Sequence, residues 1–296
     1  MISEFDASKI VNEKYFKMRN DFRPSNPIEI RNFMEEFYKH KRFEMKKVHS
    51  FDEIISNGNT IRLYKNYKNI SKKCILFVHG GGFVFGNLNY CHQLLSDLCD
   101  FACVDIISID YRKTPEFFYP TAHEDVLSSV LEIQEKYSNI YESYFLMGSS
   151  AGAMLCLHTG LTLSSTTNKL SGIILDSPAV DLNMELDSFK EFNEGYFLDS
   201  KSVKLFVNMY FKNKKHDFEE SQMSNINNWL LISCGLDPLR DQSFELEKKL
   251  KFHNCNVNHH HFKDQLHSFH SLYYSYDIGM DKLPHLEIIN EFINRQ

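Results

Sequence analysis

Long apolar runs are the first thing this sequence lacks. Nowhere in its 296 residues does a hydrophobic stretch approach the ~20 that a membrane-spanning helix needs, so no membrane partner is expected. Positive charge is not in surplus either. The 33 Lys and Arg stand against 39 Asp and Glu, a formal charge of −6, which speaks against nucleic acid as a partner. Glycine (12) and proline (7) are sparse while 43% of residues are hydrophobic, which excludes collagen-like and disordered chains. The seven cysteines are odd in number and contain no C-x-x-C pair, which disfavours a disulfide framework and a four-cysteine zinc site. Several lie in apolar runs, such as Cys74-Ile75-Leu76-Phe77, and read as small buried hydrophobes. Met1-Ile2-Ser3-Glu4-Phe5-Asp6 shows no basic segment followed by an apolar core, so a reducing cytoplasm is the expected location.

What is present is a change of period along the chain. Residues 1–43 carry helical spacing, first around Ile10, Tyr15 and Phe16. A second piece is opened by Pro27, with Ile30, Phe33, Met34, Phe37 and Tyr38 on one face. From residue 44 the period shortens. Segments 45–51 and 60–67 flank Asn57-Gly58, a hairpin signal. Short apolar runs follow at 74–78, 104–109, 144–147, 172–175, 229–233 and 257–262, alternating with helical spacing at 92–101, 124–137 and 153–163. That alternation predicts an α/β fold with a mostly parallel central sheet and helices on both faces. It breaks over 181–228, where Val203, Phe206, Val207 and Tyr210 keep helical spacing, and the stretch reads as an insertion between two strands.

Gly148-Ser149-Ser150-Ala151-Gly152 stands between a predicted strand and a predicted helix. A sharp strand-to-helix turn there admits only small neighbours and lifts the Ser150 hydroxyl clear of the sheet. The helix N-terminus beneath it favours developing negative charge. His79-Gly80-Gly81-Gly82 follows another strand, where successive glycines leave backbone N–H groups free to face an oxyanion. No Gly-Lys-Ser/Thr follows, which argues against a phosphate loop, and His79 reads as a brace for its own loop. Asp237 falls just after the strand at 229–233, whereas Asp241 falls in the first turn of the next helix as a structural carboxylate. His267 follows the last strand and can meet both Ser150 and Asp237; His270 is its rival as base. His259-His260-His261 invites a metal reading, but strand alternation sends His259 and His261 to one face and His260 to the other. No metal and no organic cofactor is expected.

The order Ser150, Asp237, His267 is that of the α/β-hydrolases. Together with His79-Gly80-Gly81-Gly82-Phe83, Tyr111-Arg112-Lys113-Thr114-Pro115-Glu116 with Pro120, Gly148-x-Ser150-Ala151-Gly152, Asp237-Pro238-Leu239-Arg240-Asp241 and His267-x-Phe269, it resembles the hormone-sensitive-lipase-like carboxylesterases over residues 79–269. The resemblance implies an α/β-hydrolase catalytic domain over 44–180 and 229–296, with a helical cap from 1–43 and 181–228. It implies Ser150 as nucleophile, His267 as general base and Asp237 as its orienting acid. Backbone N–H groups of Gly81, Gly82 and Ala151 would form the oxyanion hole. Phe83, Phe85, Ser149, Tyr196 and Phe197 are the expected pocket residues. The implied substrates are short-chain acyl or small aryl esters, and family members are often homodimers. The chain departs from the family pattern with Ser149 for Asp or Thr, Ala153 for Gly, and Ser268 for Gly.

Two other functions fit the same residues. Aryl-formamide hydrolases resemble the pattern and use the same triad. The other is a non-catalytic small-molecule binding protein: plant gibberellin receptors resemble the fold, have lost the catalytic histidine and bind a hormone under the cap, whereas His267 stands in that position here.

Overall fold

The structure, a computed structural model, describes residues 9, 13, 26–38, 48–66, 71–166, 170–216, 218–271 and 284–296. The helical piece expected around Ile10, Tyr15 and Phe16 lies outside them. Asn57-Gly58 turns the expected hairpin between β1 (Val48–Ile54) and β2 (Thr60–Asn66), with Gly58 at φ +87. The apolar runs become β3 (Lys73–Val78), β4 (Asp105–Ile109), β5 (Ser143–Ser149), β6 (Gly172–Asp176), β7 (Asn228–Leu236) and β8 (Asn256–Leu266). They form one sheet in the order β1-β2-β4-β3-β5-β6-β7-β8. β2 is antiparallel to both neighbours and the remaining pairs are parallel.

The helices are α1 (Pro27–Tyr38), α2 (His92–Ala102), α3 (Thr121–Lys136), α4 (Ala151–Ser164), α5 (Asp187–Glu191), α6 (Ser200–Phe211), α7 (Arg240–Phe252) and α8 (Pro284–Asn294). Strand side chains alternate between two cores. Cys74, Leu76 and Val78 of β3 join Val126 and Val130 of α3 and Leu157 of α4 on one face. Ile75 and Phe77 join Leu94 and Leu98 of α2 and Ile289 and Phe292 of α8 on the other. Each such fully buried Leu, Ile or Phe contributes roughly 1.5–3 kcal/mol by leaving water.

This topology fixes where a site can form. β3 lies between β4 and β5, so the chain leaves β3 on one side and, after β4, crosses to the other. The loops beyond β3 and β5 diverge at their carboxyl ends, and a crevice opens between them. The insertion between β6 and β7 carries α5, α6 and a 3₁₀ turn (Glu220–Asn225). α6 realises the spacing of Val203, Phe206, Val207 and Tyr210, and its first turn is capped by Asp199, which accepts from the Ser202 N–H at 2.8 Å.

Candidate active site

β5 runs through Ser149 and α4 begins at Ala151, two residues earlier than the helical spacing suggested. The whole change of direction therefore falls on Ser150. Its backbone sits at φ 55, ψ −121, a conformation that L residues rarely adopt and that the surroundings must enforce. Main-chain contact enforces it. A Cβ on Gly148 would stand 2.4 Å from Gly152 O, and one on Gly152 would stand 2.3 Å from Val78 O. The turn is held from below by the Ser150 N–H, which donates to Asp176 O at 2.9 Å.

Asp237 is the first residue after β7 and His267 the first after β8. The His267 Nδ1–H donates to Asp237 Oδ2 at 2.7 Å, and the Ser150 hydroxyl donates to His267 Nε2 at 2.8 Å. Asp237 is 1% exposed, and its other oxygen accepts the Leu239 N–H at 2.8 Å. The three side chains thus form one continuous hydrogen-bonded line. His270 is not part of it: its Nε2 stands 3.0 Å from Asp176 Oδ2. Asp241 lies in the first turn of α7, accepts from Ser188 N–H at 2.8 Å and pairs with Arg240 at 2.9 Å, the structural role expected of it.

Beyond β3, Gly81 and Gly82 adopt φ +117 and φ +58. A Cβ on Gly82 would meet the Phe206 ring at 2.5 Å. Gly81 O accepts the N–H groups of Val84 and Phe85, both at 3.0 Å, which turns that carbonyl into the loop. Among the described residues, the N–H groups of Gly81 and Gly82 have no hydrogen-bond partner, and both glycines line the same pocket as Ser150 and Ala151. His79 braces the loop. Its Nδ1 faces Gly80 O at 2.7 Å, its Nε2 faces Asp110 Oδ1 at 3.0 Å, and its ring stacks on Tyr111 at 4.4 Å. Burial works to raise the Asp110 carboxyl, but His79 and Lys113 outweigh it and hold it well below the usual carboxylate range.

The Tyr111–Glu116 stretch now has a physical role. Tyr111 Oη donates to His79 O at 3.0 Å, and Thr114 N–H donates to Phe83 O at 2.9 Å. Arg31 of α1 reaches the same place, donating to Val84 O (3.1 Å), Thr114 O (2.8 Å) and both oxygens of Glu116 (2.9 and 2.8 Å). One guanidinium therefore ties an N-terminal helix to the glycine loop.

The pocket is mostly apolar. Phe83, Phe85, Ser149 and Phe197 line it as expected. Tyr196 is not among the lining residues: its ring packs edge-on against Phe192 at 4.9 Å instead. Sequence reading missed Met34 and Tyr38 from α1, Tyr90 and Cys91 before α2, and Val203, Phe206 and Val207 from α6. Helical spacing marked the apolar faces of α1 and α6, and the resemblance implied a cap from both segments, but neither singled out these side chains.

His259 and His261 do share a face of β8. His259 Nε2 and His261 Nδ1 approach Ser233 Oγ at 2.8 and 2.9 Å, and His259 Nδ1 approaches Glu247 Oε2 at 2.7 Å. Among the described residues, no group of three or more His, Cys, Asp or Glu side chains is arranged to hold a metal ion, and no helix is long and apolar enough to cross a membrane.

A family model described as alpha/beta hydrolase fold matches residues 75–271. The arylesterase of Saccharolobus solfataricus is 26% identical over 260 residues, covering 74% of this chain and 83% of its own. The acetyl esterase of Salmonella dublin is 29% identical over 230 residues, covering 73% and 70%. Among solved structures, a thermostable esterase from Pseudomonas putida superposes with a TM-score of 0.84 over 95% of this chain and 93% of its own, at 18% identity.

Proposed function

The chain belongs to the α/β-hydrolase family, and from that premise we propose that it is a serine carboxylesterase acting on short-chain acyl or small aryl esters. Ester hydrolysis is the activity that the family match and the names of its relatives support. The observation that carries the finer reading is the Ser150–His267–Asp237 line, with contacts of 2.8 and 2.7 Å, opening into an apolar pocket beside two glycine N–H groups.

The mechanism follows from those positions. Ser150 Oγ attacks the ester carbonyl carbon as its proton passes to His267 Nε2. The positive imidazolium that results is stabilised by buried Asp237, which also keeps Nδ1 protonated and the ring aligned. Negative charge develops on the carbonyl oxygen, within reach of the N–H groups of Gly81, Gly82 and Ala151 at the positive end of α4. His267 then protonates the departing alcohol, leaving the acyl group on Ser150. Water, deprotonated by the same histidine, attacks that ester, and His267 returns the proton to Ser150 Oγ as the acid departs. We read residues 26–38 and 181–228 as a cap: Met34, Tyr38, Phe197 and Phe206 close the pocket and favour compact acyl or aryl groups over long chains.

Hydrolysis of p-nitrophenyl acetate, butyrate and octanoate by the wild type and by Ser150→Ala tests the proposal. The wild type should prefer the shorter esters, and the variant should lose about a thousandfold or more. Equal activity in both proteins would remove Ser150 from the reaction. An inert wild type that cleaves a formyl-anilide instead would move the activity to amides.

A further inference from the structure

A second carboxylate lies beneath the triad, and the mechanism above makes no use of it. Asp176 ends β6 and is fully buried. Its Oδ2 accepts from Ser149 Oγ at 2.8 Å and faces His270 Nε2 at 3.0 Å, and its Oδ1 accepts from Ser177 Oγ at 3.3 Å. Ser177 Oγ in turn accepts the Ser268 N–H at 3.2 Å, and the Ser149 and Ser268 hydroxyls stand 3.0 Å apart. The main-chain oxygen of Asp176 holds the Ser150 N–H.

The residues so joined are not arbitrary. Ser149 precedes Ser150, and Ser268 follows His267. Ser268, like Ser150, is held at positive φ, 52° against 55°. The two strained backbones, on separate loops, are thus linked through Asp176: Ser150 by its main-chain oxygen, and Ser268 through Ser177, whose hydroxyl bonds the carboxylate. Burial works to raise the Asp176 carboxyl, but the neighbouring His270 and then the Ser149 hydroxyl outweigh it and hold it below the usual range. The cluster is therefore built around an ionised oxygen acceptor, which makes each of its hydrogen bonds stronger than a neutral one.

We propose that Asp176 is a positioning residue for ester hydrolysis, clamping the nucleophile turn to the histidine loop through Ser149, Ser177 and Ser268. The proposal rests on the reaction assigned above. Misplacing reacting groups by a fraction of an ångström is costly, and a clamp that spans both loops sets their separation more directly than packing does.

The test compares Ser149→Ala, Ser268→Ala, their double variant, Ser149→Thr and Asp176→Asn. Two readouts are needed: steady-state hydrolysis of p-nitrophenyl butyrate, and the rate at which a fluorophosphonate captures Ser150. The second requires the Ser–His pair but no particular ester. Each alanine variant should lower kcat and capture rate by about tenfold with KM within about twofold. The double variant should be no worse than the poorer single one, because both cut the same bridge, and Ser149→Thr should restore most of the rate. Asp176→Asn should fall at least as far; if it fails to fold, the serine variants decide. Unchanged kcat with a lowered Tm would overturn the proposal, as would single effects that simply multiply. A wild type that is captured but inert on esters would sink the ester reading and leave the clamp testable by capture. One that does neither would sink both.

Discussion

The molecule contains the same three-part hydrogen-bonded line twice. Ser150–His267–Asp237 has contacts of 2.8 and 2.7 Å, and Ser233–His259–Glu247 has contacts of 2.8 and 2.7 Å. Distances do not distinguish them; location does. Ser233 lies within β7, opposite His261 in the β8 register, and is fully buried. Its hydroxyl is shared with a second histidine, His261, at 2.9 Å. Ser150 stands at a positive-φ turn at the N-terminus of α4 and lines a pocket together with Gly81 and Gly82. A serine, a histidine and an acid in line make a stable structural unit. They become chemistry only where substrate can reach the hydroxyl and donors wait for the charge it creates.

Replacing the acid separates the two lines most sharply. Asp237→Asn should lower kcat for p-nitrophenyl butyrate by about 10³–10⁴-fold, because the amide no longer favours the productive tautomer of His267. Glu247→Gln should leave kcat within about twofold. A comparable loss in Glu247→Gln would mean that the line on β7 and β8 supports the reaction after all. The donors are the next point of difference. Gly82→Ala places a Cβ 2.5 Å from the Phe206 ring at φ +58, and should cost about 10²-fold in kcat by moving an oxyanion donor. Gly58→Ala is the control: its φ is +87 with nothing within 4 Å of the added carbon, so it should carry backbone strain without any loss of rate.

Much of this was legible in the sequence, for identifiable reasons. Parallel strands buried on both faces leave short apolar runs, and those runs gave the sheet; the hairpin announced itself as Asn57-Gly58. The Ser150–His267–Asp237 line was legible because each member falls at a strand end whose position the apolar period marks. Strand alternation gave the shared face of His259 and His261, but nothing local signalled that Ser233 and Glu247 complete a line with His259, since those contacts join β7, β8 and α7. The pocket walls were hidden for the same reason. Met34, Cys91 and Phe206 come from segments far apart in the chain, and Tyr196 reads like its neighbour Phe197 until Phe192 claims its ring. The role of Tyr111 was equally invisible, because its hydroxyl bonds a main-chain oxygen 32 residues earlier.

A smaller effect concerns what covers the reactive line. The Arg31–Glu116 pair is partly exposed, so its charge alone contributes little. The two carbonyls that Arg31 also holds, Val84 O and Thr114 O, anchor α1 beside the glycine loop. Arg31→Ala should therefore raise KM severalfold while kcat stays within about twofold, because Met34 and Tyr38 of α1 line the pocket but belong to neither the Ser150–His267–Asp237 line nor the glycine loop. A fall in kcat with unchanged KM would instead place Arg31 in the support of the oxyanion loop.

The silent line should register in stability, and with a definite sign. Burial, and then the neighbouring His259, holds His261 below the ordinary histidine value. A histidine that binds its proton less readily when folded gives the unfolded chain the proton excess. Stability from this source is thus present at neutral pH and is lost as pH falls below about 6.5. His123 and His158, depressed first by burial, add in the same direction. Tm measured between pH 7.5 and 5.5 should fall on acidification, and His261→Asn should flatten part of that slope. Ser233→Ala leaves two imidazole nitrogens without their shared hydroxyl at a cost of about 1–3 kcal/mol. It should lower Tm by a few degrees at neutral pH while kcat stays within about twofold. Thermal melts and kinetics on the same two preparations read both quantities. If Ser233→Ala lost activity in proportion to Ser150→Ala, location would not be what separates the two lines.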